Sequence, residues 1–490
     1  MAVATPIIEA LRDYMTGDTV RFHMPGHKGG RGTVPAIRDL VGASTLLADV
    51  TNIPGMDDLH QPTGAIRQAQ ELAARTFGAD KTYFLVNGSS CGLMALILAT
   101  CGLGEKILVP RNIHRSILGG IILSGAVPVF FRPIYDPDLL LPLAVTPETV
   151  YCTLKKHPDA RAVFVISPTY NGITSDIRKI AEVVHGFGIP LFVDEAHGPH
   201  LGIHEGLPPR SLDCGADAAV HGTHKILTSF TQASMLHLKG KLVDRARLEQ
   251  SLRILQSTSP SYLLLASLDA ARADIDRQGR EMLERALNLA QSLRRDLDSI
   301  PGVFSFDEDW VLSRGAAGLD RTKVTITVKN LGITGLWAEL WLRENARLQV
   351  EMSDPFNLLA IVTAGNTPED VRRLITGLKE ISGLAESSPE IRPVFKTVLE
   401  TAVQAPEAPL RVTPREAFFS PSVQVPLEEA AGRVAAETIT CYPPGIPVIC
   451  PGEEVTAEIV EYLAVGRRLG MHFQGPQDPA VRFVRVLRDL

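Results

Sequence analysis

The sequence contains few cysteines for its length, and they form no recognisable pattern. Among its 490 residues there are 6 cysteines, and none has the CxxC spacing that is typical of metal-binding or redox sites. In a chain of this size, scattered cysteines are typical of buried, reduced thiols. We therefore expect neither a disulfide framework nor a metal site. The six positions are Cys91, Cys101, Cys152, Cys214, Cys441 and Cys450.

The sequence also lacks a basic excess and a long apolar run. Its 49 Lys and Arg residues face 55 Asp and Glu residues, for a net charge of -6, which argues against a nucleic-acid partner and suits a cationic small substrate better. The most apolar stretch, Ile117 to Phe131, is interrupted by glycine, serine and proline, and the first residues do not resemble a signal peptide. We therefore expect a soluble, cytoplasmic protein without membrane association.

The chain is too long for a single hydrophobic core. Cores stop growing at roughly 250 to 300 residues, so a chain of 490 residues predicts two or three domains. The pattern of apolar runs and turn residues predicts an N-terminal arm (1–35), a large domain (36–300), a small α+β domain (301–384), a surface linker (385–414) and a C-terminal domain (415–490). Within the last of these, the prolines and glycines of CYPPGIPVICPGE (441–453) predict a rigid, irregular segment.

The predicted large domain has an α/β pattern. Between Thr82 and Lys239, short apolar runs alternate with helical patterns, and the runs are continuously apolar rather than alternating. This pattern indicates a mainly parallel sheet with helices on both faces, in which ligands bind at the carboxyl ends of the strands. Polar clusters at 87–90, 194–200 and 221–225 lie at or just after such strand ends. We therefore expect these clusters to share one site.

Two residues in these clusters, Asp194 and Lys225, predict a cofactor site. A carboxylate at the end of a buried strand needs a cationic partner or hydrogen bonds, and a desolvated lysine becomes nucleophilic because its pKa falls. Taken singly, Asp194 is more often part of a buried ion pair, and Lys225 is more often a solvated surface residue. Together they fit pyridoxal phosphate, because a carboxylate keeps the pyridine nitrogen protonated while a lysine holds the aldehyde.

The cofactor's phosphate and ring need further contacts. Asn87, Gly88, Ser89 and Ser90 lie between a strand and an apolar helix, where hydroxyls and free amides at a helix N-terminus suit an anion. The alternative is that a serine simply caps the helix. His114 follows another strand and is placed to stack on a cofactor ring, although an isolated histidine is more often structural.

Several motifs, in order over nearly the whole chain, resemble the bacterial ornithine/lysine/arginine decarboxylase family, and within it most closely the short biosynthetic arginine decarboxylases. The motifs are HMPGHKGG (23–30), IPGMDDLHQPTGAI (53–66), NGSS (87–90), PRNIHRS (110–116), VDEAHGPH (193–200), THK (223–225), LTSFTQASMLH (227–237) and YPPGIPVICPGE (442–453).

This resemblance implies the fold and the reaction. The expected large domain has the aspartate-aminotransferase-like (fold type I) architecture, accompanied by small and C-terminal α+β domains. The expected assembly is a homodimer or a higher homo-oligomer with shared active sites. The expected reaction is the pyridoxal-phosphate-dependent decarboxylation of L-arginine to agmatine and carbon dioxide, for polyamine biosynthesis.

The resemblance also implies roles for single residues. Lys225 matches the Schiff-base lysine, Asp194 the pyridinium partner, Ala196 the small residue against the ring, and His114 the stacking histidine. Around the phosphate the matching residues are Ser89, Ser90, the neighbouring His224, and the pair Thr258 and Ser259, which in the family approach from the partner subunit. The sequence departs from the family at Gly222, where relatives often have serine, and Cys91 has no clear match.

Substrate recognition and proton transfer give further candidates. Glu453 matches a position near the substrate's distal end in relatives, although a glutamate in a loop is also commonly solvated. Asp57 and Asp58 are the next candidates for binding a cationic side chain. We expect Lys225, once freed, or His197 to protonate Cα as general acid.

The sequence leaves three alternatives to arginine decarboxylation open. A single carboxylate accepts guanidinium or ammonium, so lysine or ornithine is an alternative substrate. A transaminase or an aldolase uses the same cofactor apparatus on the same fold. A noncatalytic, decarboxylase-like regulator is the third, and the intact set of Asp194, His114 and Lys225 argues against it.

Overall fold

A computed structural model describes residues 3–387, 406–442, 446–468 and 471–489. The large domain is built on a seven-stranded sheet with strand order β1-β10-β9-β8-β6-β2-β3. Its strands are β1 (Lys81–Leu85), β2 (Lys106–Pro110), β3 (Val127–Phe131), β6 (Val163–Ile166), β8 (Leu191–Asp194), β9 (Ala218–His221) and β10 (Ser234–Leu238). Short strands outside this sheet are β4 (Tyr135–Asp136), β5 (Leu141–Pro142), β7 (Ile173–Thr174) and β11 (Gly318–Leu319).

The sheet is mainly parallel, as predicted. Strands β9, β8, β6, β2 and β3 pair in parallel, whereas β10 is antiparallel to both β9 and β1. Because β1 is reversed twice relative to β9, both run in the same direction. The carboxyl ends of β1, β2, β6, β8 and β9 therefore lie at one edge of the sheet.

Helices cover both faces of this sheet. Residues of α5, α6 and α10 form one apolar cluster with the strands, and residues of α7 and α8 form another. The N-terminal helix α1 packs with α4 and α11 in a third cluster. The helices up to this point are α1 (Pro6–Thr16), α2 (Pro35–Val41), α3 (Ala43–Ala48), α4 (Ala65–Thr76), α5 (Gly88–Thr100), α6 (Arg115–Ser124), α7 (Pro147–Lys156), α8 (Ile177–His185), α9 (Thr223–Ile226), α10 (Arg245–Leu255) and α11 (Tyr262–Leu297).

The small domain has its own core. Its sheet has the antiparallel order β12-β14-β13, with β12 (Lys323–Thr327), β13 (Met352–Ser353) and β14 (Asn357–Ile361). The helices of this region are α12 (Glu308–Leu312), α13 (Gly335–Asn345) and α14 (Pro368–Ser387). The C-terminal half of α11 packs into the same apolar cluster, so this helix joins the large and small domains. Its backbone leaves the helical conformation at Gln278.

The C-terminal domain contains two small sheets. Strands β15 (Ser422–Pro426) and β19 (Phe483–Leu487) pair in one, and β16 (Ile439–Tyr442), β17 (Ile446–Ile449) and β18 (His472–Gln474) form the other. Helices α15 (Pro414–Phe419) and α16 (Ala457–Arg468) accompany them.

The expectation of an irregular segment over 441–453 is wrong for residues 441–442 and 446–449, which belong to the antiparallel pair β16 and β17, while residues 443–445 lie outside the described residues. Pro447 is tolerated because β17 is an edge strand, where a proline removes no hydrogen bond from a neighbouring strand.

Most of the predicted linker lies outside the described residues. Of the range 385–414, residues 388–405 are not described, and Leu410 forms an isolated bridge with Glu453. Separate apolar clusters support the division into large, small and C-terminal domains. The domain bounds themselves stay a prediction.

Candidate active site

A cavity of about 620 Å³ lies at the carboxyl ends of the parallel strands. Its wall contains residues from each of the three polar clusters that the sequence singled out, which agrees with the prediction of a shared site. The predicted site residues that line it are Ser89, His114, Asp194, Ala196, His197 and Lys225.

Asp194 ends β8, and Lys225 lies in the short helix α9, which follows the neighbouring strand β9 at this edge. Asp194 is the last residue of β8, is 5% exposed, and accepts a hydrogen bond from the backbone amide of Ala196 at 3.2 Å. Burial raises the pKa of its carboxyl group, and the nearby Lys225 opposes that rise. Burial likewise lowers the pKa of Lys225, against the opposing effect of Asp194. The pair has the electrostatic character expected of a nucleophilic lysine beside a buried carboxylate.

His197 lies between two lysines. Its Nε2 is 2.9 Å from Lys225 Nζ, and its Nδ1 is 3.4 Å from Lys323 Nζ. The Tyr170 ring packs against the imidazole with 4.3 Å between ring centroids. Burial, followed by the two lysine charges, holds the pKa of His197 well below its usual range. His197 is therefore neutral near pH 7, and one of its ring nitrogens carries a proton.

His114 is held in a fixed orientation at the start of α6. Its Nδ1 accepts a hydrogen bond from the Ser116 amide at 3.3 Å and lies 2.7 Å from the Ser116 hydroxyl, which makes His114 the N-cap. Burial, assisted by the charge of Lys225, lowers its pKa to about 4. A neutral imidazole with a fixed plane is suited to packing on a flat, aromatic ring.

The serine cluster lies at the N-terminus of α5. Asn87 occupies the N-cap position but makes no capping hydrogen bond, and its side-chain amide donates to the Leu255 carbonyl instead. Within the described residues, the hydroxyls of Ser89 and Ser90 have no hydrogen-bond partner. The alternative in which a serine caps the helix is therefore not what the structure has, and the first turn remains available to an anion.

Gly222, where relatives often have serine, is closely surrounded. A Cβ atom built on Gly222 would lie 2.8 Å from the Ala196 carbonyl oxygen and 3.0 Å from Lys225 Cδ. A serine here would displace the backbone or the lysine. The departure from the family pattern is therefore matched to the local packing of this chain.

Five of the residues predicted near the phosphate do not line the cavity of the single chain: Gly88, Ser90, His224, Thr258 and Ser259. His224 is half-buried, and its Nδ1 lies 3.0 Å from the Ala233 carbonyl oxygen. Thr258 and Ser259 are exposed. Their contribution to a partner's site stays a prediction.

The three predicted substrate carboxylates also lie outside the cavity wall. Glu453 is fully buried and forms an ion pair with Arg111, and it also accepts a hydrogen bond from the Cys450 amide at 2.7 Å. Asp57 accepts hydrogen bonds from backbone amides around the start of α4, including those of Thr63 and Gly64.

Asp58 is similarly occupied, since it accepts a hydrogen bond from the His60 amide at 2.8 Å. The carboxylates of Glu453, Asp57 and Asp58 therefore have structural contacts. Their positions outside the cavity wall do not support the predicted contacts with the substrate.

Three residues near the cavity were missed from the sequence. Tyr170 and Glu437 line its wall, and Lys323 is fully buried behind His197. Tyr170 follows β6, so its position after a strand end was a usable signal. Lys323 and Glu437 belong to the small and C-terminal domains, and no local pattern marks either as facing the large domain.

Metal-ligand clusters and membrane-spanning helices are both absent from the described residues. No group of three or more His, Cys, Asp or Glu side chains there is arranged to hold a metal ion. None of the helices in those parts of the chain combines the length and apolar character needed to cross a membrane.

The fold and this site together define an enzyme of the aspartate-aminotransferase-like class. Family models for Orn/Lys/Arg decarboxylases match twice, the major domain over residues 5–370 and the C-terminal domain over residues 393–478. The chain therefore belongs to the Orn/Lys/Arg decarboxylase family and is an amino-acid decarboxylase, as predicted.

The relatives of known name agree with this placement. An arginine decarboxylase of Bacillus subtilis is 42% identical over 486 residues, which cover 99% of this chain and 98% of the relative. An arginine decarboxylase of Halalkalibacterium halodurans is also 42% identical, with the same coverage of both chains.

Solved structures agree on the fold. Lysine decarboxylase A of Pseudomonas aeruginosa has a TM-score of 0.85 at 25% identity and covers 99% of this chain and 81% of that chain. Serine palmitoyltransferase of Sphingomonas wittichii has a TM-score of 0.55 at 14% identity and covers 79% of this chain and 85% of that chain. The second likeness concerns the fold alone.

Proposed function

We propose that the chain decarboxylates L-arginine to agmatine and carbon dioxide, with pyridoxal phosphate as its cofactor. The observation that carries the proposal is that Lys225, Asp194 and His114 line the same cavity. The choice of arginine is supported by the arginine decarboxylases that are 42% identical over nearly the whole chain.

The residues around the cavity fit this cofactor. Asp194 is buried, and among the described residues no cation lies within ion-pair distance of it, so a protonated ring nitrogen would supply the missing partner. Ser89 and Ser90, with the uncapped first turn of α5, would hold the phosphate. A volume of about 620 Å³ accommodates both the cofactor and an amino acid.

Each side chain has a distinct task in this proposal. Lys225 holds the cofactor's aldehyde carbon, and His114 packs on the ring. Asp194 keeps the ring nitrogen protonated. The bound cofactor supplies an electron sink for the charge left on Cα when carbon dioxide leaves.

The remaining task is to return a proton to Cα. Lys225 and His197 are both placed for it, since their nitrogens lie 2.9 Å apart. If Lys323 donates a hydrogen bond to His197 Nδ1, the single ring proton of the neutral imidazole lies on Nε2, facing Lys225. Nδ1 would take a proton from the Lys323 ammonium while Nε2 gives its proton to Cα, so that His197 stays neutral and relays the proton.

We also propose a homodimer in the cytoplasm. The segment between α1 and α3 exposes an unusual number of large apolar side chains, which marks an interaction surface. Phe22 is 92% exposed and Leu40 is 79% exposed. A second copy of the chain, as the sequence resemblance implies, would cover them.

Lysine is the second candidate substrate, because a solved lysine decarboxylase shares the fold over 99% of this chain. The test is to incubate the purified enzyme separately with L-arginine, L-lysine and L-ornithine and to measure amine and carbon dioxide. We expect agmatine and carbon dioxide in equal amounts from arginine, without any keto-acid acceptor. Preferential formation of cadaverine or putrescine would show that lysine or ornithine is the preferred substrate. Formation of a keto acid would indicate a transaminase.

A further inference from the structure

The C-terminal domain supplies a second part of the cavity wall. Residues from the segment before β16, from β16 itself and from the end of β18 line it, among them Glu437, Thr440 and Gln474. Among the lining residues that the structure describes, the acidic side chains are Asp194 and Glu437. Asp194 lies at the strand edge beside Lys225, so Glu437 is the acidic group left to serve another part of the ligand.

Backbone amides hold the Glu437 carboxylate in place. One oxygen accepts a hydrogen bond from the Arg485 amide at 2.6 Å, and the other accepts one from the Gln477 amide at 2.8 Å. Each carboxylate oxygen has a second acceptor site, so both remain able to accept another hydrogen bond. The carboxylate is oriented by its neighbours without being saturated by them.

Glu437 has no ion-pair partner within the described part of the chain, because no lysine, arginine or histidine nitrogen there lies within 4.0 Å of its carboxylate. Burial raises its pKa, which the two backbone hydrogen bonds and the charge of Arg485 oppose. A cation entering the cavity would relieve this cost of burial.

Glu453 offers an informative contrast. It lies in the conspicuous PGE motif, but Arg111 donates to both of its oxygens, and it is fully buried outside the cavity wall. Its charge is therefore already paired, whereas that of Glu437 faces a cavity.

We propose that Glu437 binds the distal cation of the substrate and thereby selects a basic amino acid. The inference rests on the proposed function, in which this cation is the guanidinium of arginine. A guanidinium matches a carboxylate with two parallel hydrogen bonds, and the two backbone amides hold the carboxylate in one orientation for it.

The experiment compares the wild type with Glu437→Gln in steady-state assays on L-arginine and on L-citrulline, whose ureido group has nearly the same shape but no charge. We expect KM for arginine to rise roughly 10- to 100-fold in the variant, as for a lost charge-assisted hydrogen bond, with a smaller change in kcat. The preference for arginine over citrulline should fall by a similar factor.

A second readout does not depend on turnover. Agmatine carries the guanidinium but no carboxylate, so its affinity for the cofactor-free enzyme can be measured by calorimetry. We expect Glu437→Gln to weaken agmatine binding by a factor similar to the rise in KM. Glu458→Gln, the same substitution on an exposed position of α16, should leave binding, KM and the preference unchanged.

The outcomes separate this inference from the proposed function. If the wild type forms no amine from arginine, lysine or ornithine, the proposed function fails. If it forms agmatine but Glu437→Gln keeps the wild-type KM, preference and agmatine affinity, Glu437 does not bind the cation.

A variant that keeps the charge covers the case in which Glu437→Gln does not fold. Glu437→Asp draws the carboxylate back by one methylene, so we expect a smaller rise in KM and a retained preference over citrulline. An unchanged KM in this variant would overturn the inference.

Discussion

The cavity has two parts that were built in different ways. Its cofactor part, named for the cofactor that we propose, consists of residues at or just after the strand ends of one sheet, such as Asp194 and Lys225. Its other part comes from the C-terminal domain, where Glu437 lines the wall and Glu453 does not. A sequence motif locates a site residue well when the end of a strand fixes the position of that residue. It does so poorly when the position depends on how a separate domain packs against the sheet.

The largest expected effect concerns the cofactor part. Lys225→Ala removes the nucleophile, so turnover should fall by roughly 10⁴-fold or more, and the yellow absorbance of the lysine-bound cofactor should disappear. Lys241→Ala, at an exposed position, is the control and should behave as the wild type. Substantial activity in Lys225→Ala would refute the account of this part of the cavity.

The next effect separates the two glutamates of the C-terminal domain. Glu453→Gln leaves the Arg111 cation buried without its partner, so the free energy of unfolding should fall by about 3 to 5 kcal/mol. Urea denaturation measures this, with Glu454→Gln, which breaks a more exposed ion pair with Arg411, as the control. If Glu453→Gln is instead as stable as the wild type and loses its preference for arginine over citrulline, then Glu453, and not Glu437, binds the distal cation of the substrate.

A smaller effect tests the proton donor. His197→Gln keeps a hydrogen-bonding side chain but removes the general acid, so kcat should fall by roughly 10²-fold while KM for arginine changes little. A wild-type kcat in this variant would leave Lys225 as the proton donor.

The smallest effect concerns the lysine behind His197. Burial lowers the pKa of Lys323 from its ordinary value of 10.5 to about 8, although Asp320 and Glu351 oppose the shift. The folded protein then binds fewer protons than the unfolded chain between these two values, so stability rises with pH across this window. Below about pH 8 Lys323 is charged in the folded protein, so the full free-energy cost of burying its ammonium group lowers the stability.

Lys323→Met removes that cost. At pH 7 we expect the variant to be more stable than the wild type by up to about 3 kcal/mol, and the difference should shrink as the pH approaches 10. Urea denaturation at both pH values measures it, with the exposed Lys379→Met as the control. A difference that does not depend on pH would mean that Lys323 is not a buried cation.

The sequence predicted the sheet and the cofactor part of the site because both depend on short-range patterns. Continuous apolar runs predicted the strands. The polar residues after these strands had to lie close together, because the carboxyl ends of parallel strands share one edge of the sheet. Glu437 and Lys323 escaped prediction because each reaches the cavity only through the packing of another domain. Pro447 misled for a different reason, since a proline excludes a central strand but not an edge strand.

The most direct test of the two-part cavity is a crystal structure of Lys225→Ala with pyridoxal phosphate and L-arginine bound. We predict the cofactor ring between His114 and Ala196, with its nitrogen on Asp194 and its phosphate at Ser89 and Ser90, and the guanidinium of arginine on Glu437. A guanidinium bound to Glu453, with Arg111 displaced, or a cofactor bound away from Asp194 would contradict the account.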